Sequence, residues 1–188
     1  VPAASRADAN NRRIATSPSV LSPLLSPRMP AIPPTLSCAR LLVLRHGESE
    51  WNAVGRWQGQ ADIGLTDDGR RQAATAALRL GTFDAIIASD LERAALTAAI
   101  ISEIIGIGPV VLDSRLREAD VGPWEGLTHP EVEAGWPGFL AAHHRPPGFE
   151  SYDGVAARGM SALRDAAASF PGGEILVISH GGMIRALR

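Results

Sequence analysis

A chain of 188 residues with 45% hydrophobic content and a formal net charge of −2 has the length of one domain and enough apolar material for one core. The balanced charge, without any block of one sign, excludes non-specific nucleic-acid binding, and no apolar run approaches the ~20 residues that span a bilayer. The single cysteine, Cys38, excludes an internal disulfide and suits a reducing cytoplasm.

Residues 1–39 stand apart. Pro2, Pro18, Pro23, Pro27, Pro30, Pro33 and Pro34 punctuate a Ser/Ala-rich stretch. Such a stretch sustains neither a helix nor a ladder, so a disordered leader is expected. Prolines cut the apolar segment from Val20 to Leu25, which rules out a secretory core, and Met29 offers an alternative start. Residues 40–188 then read as one domain.

The apolar run Leu41 to Leu44 marks a first, buried strand, Arg40 to Leu44. Thr66 caps a helix running to about Leu80, with Asp67 and Asp68 in its first turn. Phe83 to Ala88 is a second buried strand. Asp90 opens a helix with Leu91, Ala94, Ala95, Ala98 and Ile101 on one face, closing before Gly106. Pro109 to Leu112 is a short strand, and Thr128 caps a short helix. Tyr152, Val155, Met160, Leu163, Ala167 and Phe170 outline another amphipathic helix. Glu174 to Ile178 is the last strand, and a final helix starts at Gly181. The alternation calls for a mostly parallel sheet covered on both faces, a three-layer α/β/α fold. Met183, Ile184 and Leu187 are periodic, yet the sequence stops at Arg188 with no cap. The expectation is of a domain cut short at its C-terminal end.

Chemistry-bearing residues collect at strand ends, where ligands bind in open α/β sheets. His46 leaves the first strand beside Arg45. A neutral imidazole can attack phosphorus near neutral pH, and a guanidinium grips phosphate oxygens. The attacking role requires the other ring nitrogen to stay protonated, bonded to a loop carbonyl. A metal-ligand role is disfavoured by the adjoining guanidinium. All 18 basic residues are arginine, so any phosphate clamp uses Arg, His, Asn and backbone N–H groups. Arg93 lies in a helix first turn, where a cation opposes the dipole. A bound phosphate, Asp90 or Glu92 would each compensate. His180 precedes Gly181-Gly182 at a helix start, a ready anion site. His143 and His144 sit in a Pro-rich loop and read as solvent-facing or as part of a lid.

Five blocks carry a joint pattern: Leu44-Arg45-His46-Gly47, Glu48-Ser49-Glu50-Trp51-Asn52, Ser89-Asp90-Leu91-Glu92-Arg93-Ala94, Arg117-Glu118-Ala119-Asp120-Val121-Gly122 and Ser179-His180-Gly181-Gly182. Together they make the chain from about Arg40 to Arg188 resemble the histidine phosphatase superfamily, in its phosphoglycerate-mutase-like branch. The resemblance implies catalysis by His46, Arg45, Arg93 and His180, with Asn52 donating to the phosphoryl group. It implies that Gln58 and Gly59 line the substrate entrance and that the anion site at Gly181 contributes. It points to Glu118 as general acid over its rival Glu125. Phe149 stands where the family favours a second glycine, which bears on substrate shape.

The implied activity is metal-independent hydrolysis of a small phosphorylated metabolite through a phosphohistidine, with no cofactor, no nucleic acid and no membrane partner, in the cytoplasm. A cofactor-dependent phosphoglycerate mutase is the alternative. Mutases carry an insertion with basic residues for the substrate carboxylate, whereas Ala119 to Phe149 is short and offers only Arg145. A non-catalytic phospho-ligand binder is the third reading.

Overall fold

The computed structural model describes residues 38–188; all but Cys38 and Ala39 of the expected leader lies outside the described residues. Four strands form one parallel sheet: β1 (Arg40–Arg45), β2 (Ala85–Ala88), β3 (Val110–Leu112) and β4 (Glu174–Ser179), in the order β1-β4-β2-β3. The helices are α1 (Glu50–Ala53), α2 (Asp67–Ala77), α3 (Glu92–Ile105), α4 (His129–Gly135), α5 (Tyr152–Ser169) and α6 (Gly181–Ala186). None of them is long and apolar enough to cross a membrane.

Strand alternation sorts the core into two faces. Ile86, Ala88, Leu176 and Ile178 point to one side and meet Ala77 of α2 and Ala94, Ala98 and Ile101 of α3. Ala85, Ile87, Ile175 and Val177 point to the other and meet Ala162 and Ala166 of α5. Both central strands are therefore buried on both faces, and the three-layer α/β/α arrangement is as the sequence implied.

Some boundaries and one face differ from the sequence reading. The second strand begins at Ala85, not Phe83, and α2 ends at Ala77, although Leu80 and Phe83 still pack against the core. Helix α3 starts at Glu92 rather than Asp90, because the Asp90 carboxylate is held by Arg117 and Leu91 stays extended as the cap. The buried face of α5 is Val155, Gly159, Ala162 and Ala166. Small residues let this helix lie close, and Gly159 packs directly against Met183 of α6. Met160 and Tyr152, assigned to the apolar face from sequence, are exposed. Helix α1 has no counterpart in the sequence reading; Ser49 caps it in a capping box with Asn52.

The strand order brings functional segments together. β1 and β2 both flank β4, so the chain leaves the sheet at His46, His180 and Ser89 side by side. His46 N–H donates to Ser179 O at 3.0 Å, and Ser89 N–H to Ile178 O at 2.9 Å.

Candidate active site

His46 is buried at the carboxyl end of β1. Its Nδ1–H donates to Gly47 O at 2.6 Å. That bond leaves Nε2 as the ring nitrogen with a free lone pair. Burial drives the His46 pKa down to about 3; the nearby charges of Arg93 and Arg45 act in the same direction, and the Gly47 carbonyl opposes them. The ring is therefore neutral at physiological pH.

The backbone around His46 is packed to fit. A Cβ on Gly47 would overlap the Gly69 carbonyl, so only glycine allows α2 to approach the loop here. Gly47 N–H donates to the buried Thr97 hydroxyl at 3.1 Å, which ties the loop after His46 to α3.

His180 lies behind His46, with ring centroids 5.1 Å apart. Its Nε2 sits 2.8 Å from Ser89 Oγ, and its Nδ1 is buried without a partner among the described residues. Burial first, then the charges of Arg93 and its neighbours, holds its pKa well below the ordinary histidine value. Two neutral imidazoles thus occupy adjoining strand ends.

Arg93 is fully buried. Neither Asp90 nor Glu92 answers its charge: Asp90 pairs with Arg117 at 2.6 Å, and Glu92 supplies no bond to it. Instead Nη2 donates to Gly59 O at 2.9 Å and Nη1 to Ala61 O at 2.7 Å. Neutral carbonyls leave the positive charge uncompensated at short range, and Nε is buried without a partner. Burial lowers the Arg93 pKa to about 10, partly offset by Glu118 and Asp62, so the guanidinium stays charged at neutral pH. Gly59 contributes through its backbone: at φ +54° it presents its carbonyl to Arg93, and a Cβ there would meet Val121 at 2.7 Å.

Asn52 and Gln58 share one hydroxyl. Ser49 Oγ–H donates to Gln58 Oε1 at 2.7 Å and also lies 3.0 Å from Asn52 Oδ1, which accepts from Ser49 backbone N–H at 3.2 Å. With both amide oxygens engaged, each side chain keeps its NH2 as a donor.

The two candidate acids separate in space. The Glu118 carboxylate reaches the N-terminus of α6: Oε1 accepts from Ala119 N–H at 2.9 Å and Met183 N–H at 3.0 Å, and Oε2 from Gly182 N–H at 2.9 Å. A carboxylate offers about four lone-pair sites, so one remains. Glu125 Oε2 instead accepts from Ala61 N–H at 3.0 Å and braces the loop that holds Arg93.

A cavity of about 420 Å³ gathers Arg45, His46, Asn52, Gln58, Gly59, Arg93 and Glu118 in its lining. Among the glycines of the α6 start, Gly182 rather than Gly181 lines it. Gly181 lies beneath Arg45 and Arg185, where a Cβ would come within 3.7 and 3.4 Å of their guanidinium groups. His180 is not part of the lining either. His143 and His144 are exposed and outside it, which agrees with their solvent-facing reading. Phe149, singled out from sequence for substrate shape, does line it.

Sequence reading missed Arg56, Trp57, His129, Tyr152 and Arg185, which also line the wall, and it missed Arg158. All five N–H bonds of Arg158 are used: to both Glu150 oxygens and to the carbonyls of Arg115, Arg117 and Glu118, at 2.6–2.9 Å. This residue of α5 fixes the backbone that carries Glu118. Its position beside small residues on a helix gave no local signal of that role.

Among the described residues no cluster of His, Cys, Asp and Glu is arranged to hold a metal ion. The cavity wall instead combines a neutral imidazole, guanidinium groups, amide donors and one carboxylate, a set suited to transferring a dianionic group.

The family model for the histidine phosphatase superfamily (branch 1) matches residues 41–188. A glucosyl-3-phosphoglycerate phosphatase of Mycobacterium tuberculosis is 40% identical over 163 residues, covering 79% of this chain and 73% of that protein. A metal-independent phosphoserine phosphatase of Arabidopsis thaliana is 37% identical over 158 residues, 78% of this chain and 66% of that one. Among solved structures, mycobacterial glucosyl-3-phosphoglycerate phosphatase complexed with VO3 superimposes with a TM-score of 0.74 at 40% identity, covering 79% of each chain.

Proposed function

The chain belongs to the histidine phosphatase superfamily, branch 1, and is a phosphoric monoester hydrolase; from this premise we propose that it works through a phosphohistidine on His46 with Glu118 as general acid and base. The observation that carries the proposal is the His46 ring itself: Nδ1–H is tied to Gly47 O, and the ring is neutral in a wall of guanidinium groups.

In the first step the Nε2 lone pair attacks phosphorus while the P–O ester bond breaks, and the leaving alkoxide takes a proton from Glu118. In the second, water attacks phosphorus, Glu118 takes one of its protons and the N–P bond breaks. Inorganic phosphate departs, and His46 returns to its neutral form. Arg45 and Arg93 meet the charge on the transferring oxygens, with the amide groups of Asn52 and Gln58 as further donors. His180 backs the His46 ring, Gly59 holds Arg93, and Gly181 keeps the α6 start open to Arg45.

In this reading residues 40–188 are the catalytic domain, the substrate is a small phosphorylated metabolite, and no metal enters the reaction. The relatives' named substrates, glucosyl-3-phosphoglycerate and phosphoserine, are of that class. A cytoplasmic location, which the exposed thiol of Cys38 suits, belongs to the same proposal.

Rapid quench with a ³²P-labelled phosphomonoester in EDTA tests it. Acid-labile, alkali-stable label is expected on His46, absent together with turnover in His46→Ala. Acid-stable label on a serine or aspartate, or loss of rate in EDTA restored by a divalent cation, overturns the mechanism.

A further inference from the structure

Ser89 follows β2, is fully buried and lies outside the cavity lining. Its hydroxyl has two neighbours. Leu91 N–H donates to Oγ at 3.3 Å, and His180 Nε2 lies 2.8 Å away. A hydroxyl carries one O–H and two lone pairs, and a neutral imidazole has one N–H and one bare nitrogen. Leu91 takes a lone pair, so the O–H still needs an acceptor. Among the described residues no acceptor other than His180 bonds to Ser89 Oγ. If Nε2 carried the ring proton, the hydroxyl hydrogen and the Nδ1 lone pair would both be buried unmet. With Ser89 O–H donating to Nε2, only the Nδ1–H is unmet. Stranded polar groups in the interior are costly, which selects the second arrangement.

One buried donor then remains, His180 Nδ1–H, with no acceptor among the described residues. Its surroundings are cationic: Arg93, Arg158 and Arg45 all act on the ring. An acceptor that arrives there is therefore an anion. The His46 ring stands beside it, centroids 5.1 Å apart, whereas His180 does not line the open cavity. The donor is set back from the cavity and close to the ring that receives the phosphoryl group. Ser89 also ties this proton to α3, because the same Oγ accepts Leu91 N–H at the start of the helix that carries Arg93.

We propose that Ser89 is a positioning residue: by donating to Nε2 it fixes His180 as the Nδ1–H tautomer, a donor that meets the phosphoryl group as it moves onto His46. The proposal rests on the phosphatase reading above and deepens it. Arg45 and Arg93 meet the phosphate in the cavity, and the Nδ1–H of His180 is satisfied only when the oxygens approach His46. An interaction made in transit and not on binding acts on kcat and leaves KM alone. Ser89 touches neither substrate nor nucleophile and acts through His180.

The proton position is read from long-range ¹H–¹⁵N spectra of the imidazole rings in ¹⁵N-labelled free protein near neutral pH, with the His180 signals identified by their loss in His180→Ala. The wild-type ring is expected to be protonated on Nδ1, and Ser89→Ala to shift the proton wholly or partly to Nε2. A wild-type ring protonated on Nε2 overturns the proposal without any variant. Kinetics use p-nitrophenyl phosphate, whose leaving group needs little help from Glu118. Ser89→Ala should lower kcat and kcat/KM together by at least ~10-fold, within the ~10²–10³-fold that loss of a whole transition-state donor costs. Ser89→Thr, which restores the hydroxyl, should recover most of the rate. In a His180→Ala background Ser89→Ala should have no further effect. If Ser89 merely packs the strand end, Ser89→Ala lowers the melting temperature, leaves the tautomer as in wild type and slows the His180→Ala protein as much as the wild type, and the proposal is overturned. The wild-type protein separates the two levels: if p-nitrophenyl phosphate is not cleaved, the phosphatase reading has failed, whereas cleavage with an Nε2-protonated His180 defeats the Ser89 proposal alone.

Discussion

Glu118 and Gly182 are 64 residues apart in sequence, and they meet where Gly182 N–H donates to Glu118 Oε2 at 2.9 Å. The first turn of α6 therefore positions the proposed acid. It can do so only because residue 182 lacks a Cβ, which would overlap Glu118 Oε1.

Gly182→Ala should consequently reproduce the defect of Glu118→Gln. Alanine is the better helix former by about 0.5–1 kcal/mol, so helix propensity does not predict harm. Displacement of the carboxylate does. General acid–base catalysis contributes ~10²–10⁴-fold, and an alkyl phosphate, with its poor leaving group, should slow by at least ~10²-fold. p-Nitrophenyl phosphate needs little protonation and should slow much less. Steady-state rates on both esters decide; equal rates for Gly182→Ala and the parent on the alkyl ester would show that Gly182 does not place the acid.

The histidines make a prediction about pH. His46 has its pKa lowered to about 3 in the folded protein, against ~6.5 in an unfolded chain. Above that value neither state binds the proton, and the linkage is silent. As pH falls below ~6.5 the unfolded chain takes up a proton that the folded ring refuses. Stability is then lost at up to about 1.4 kcal/mol per pH unit down to pH ~3. His180, shifted in the same direction, adds to the slope. Histidine ring resonances in the free protein should show His46 not titrating between pH 8 and 5, while urea unfolding weakens over that range. A His46 midpoint near 6.5 would contradict its burial and charge environment.

Arg158 is expected to matter for both stability and rate. Its loss strands the carbonyls of Arg115 and Arg117, leaves Glu118 O with Gln60 Nε2 alone, and removes the ion pair with Glu150. Buried groups left without partners cost about 1–3 kcal/mol each, partly recovered by water at this half-open position. Arg158→Ala should cost about 2–4 kcal/mol in urea unfolding at unchanged m-value, with a fall in kcat as the Glu118 segment loosens. Arg158→Lys cannot reproduce five donors and should recover less than half. An Arg158→Ala variant that is wild-type in both measurements would remove this residue from the site's support.

Much of the molecule was legible along the chain because it depends on local periodicity and on what a strand end presents. The run at Ile175–Ile178 forms the buried strand its pattern implied, whereas the run at Leu41–Leu44 forms the edge strand β1, not a buried one, with Leu42 exposed and Leu41, Val43 and Leu44 half-buried, because among the described residues only β4 pairs with it; the helices between them cover both faces. The positions of His46 and His180 immediately after such runs, and of Arg93 in the first turn of the helix that follows another, pointed to one sheet edge before any tertiary contact was known. The tertiary structure decided the rest, because those decisions hang on residues far apart in sequence. The sheet order β1-β4-β2-β3 set His46 against His180. The N-terminus of α6 received Glu118 while the loop carbonyls of Gly59 and Ala61 took Arg93 in place of Asp90 or Glu92. Arg158 and Arg145 look like ordinary helix and loop arginines in the sequence. Only the fold reveals that one fastens the acid's backbone and the other lies on Trp124 and Phe149 at the cavity wall, since a guanidinium's role is set by what packs around it and not by its neighbours in the chain.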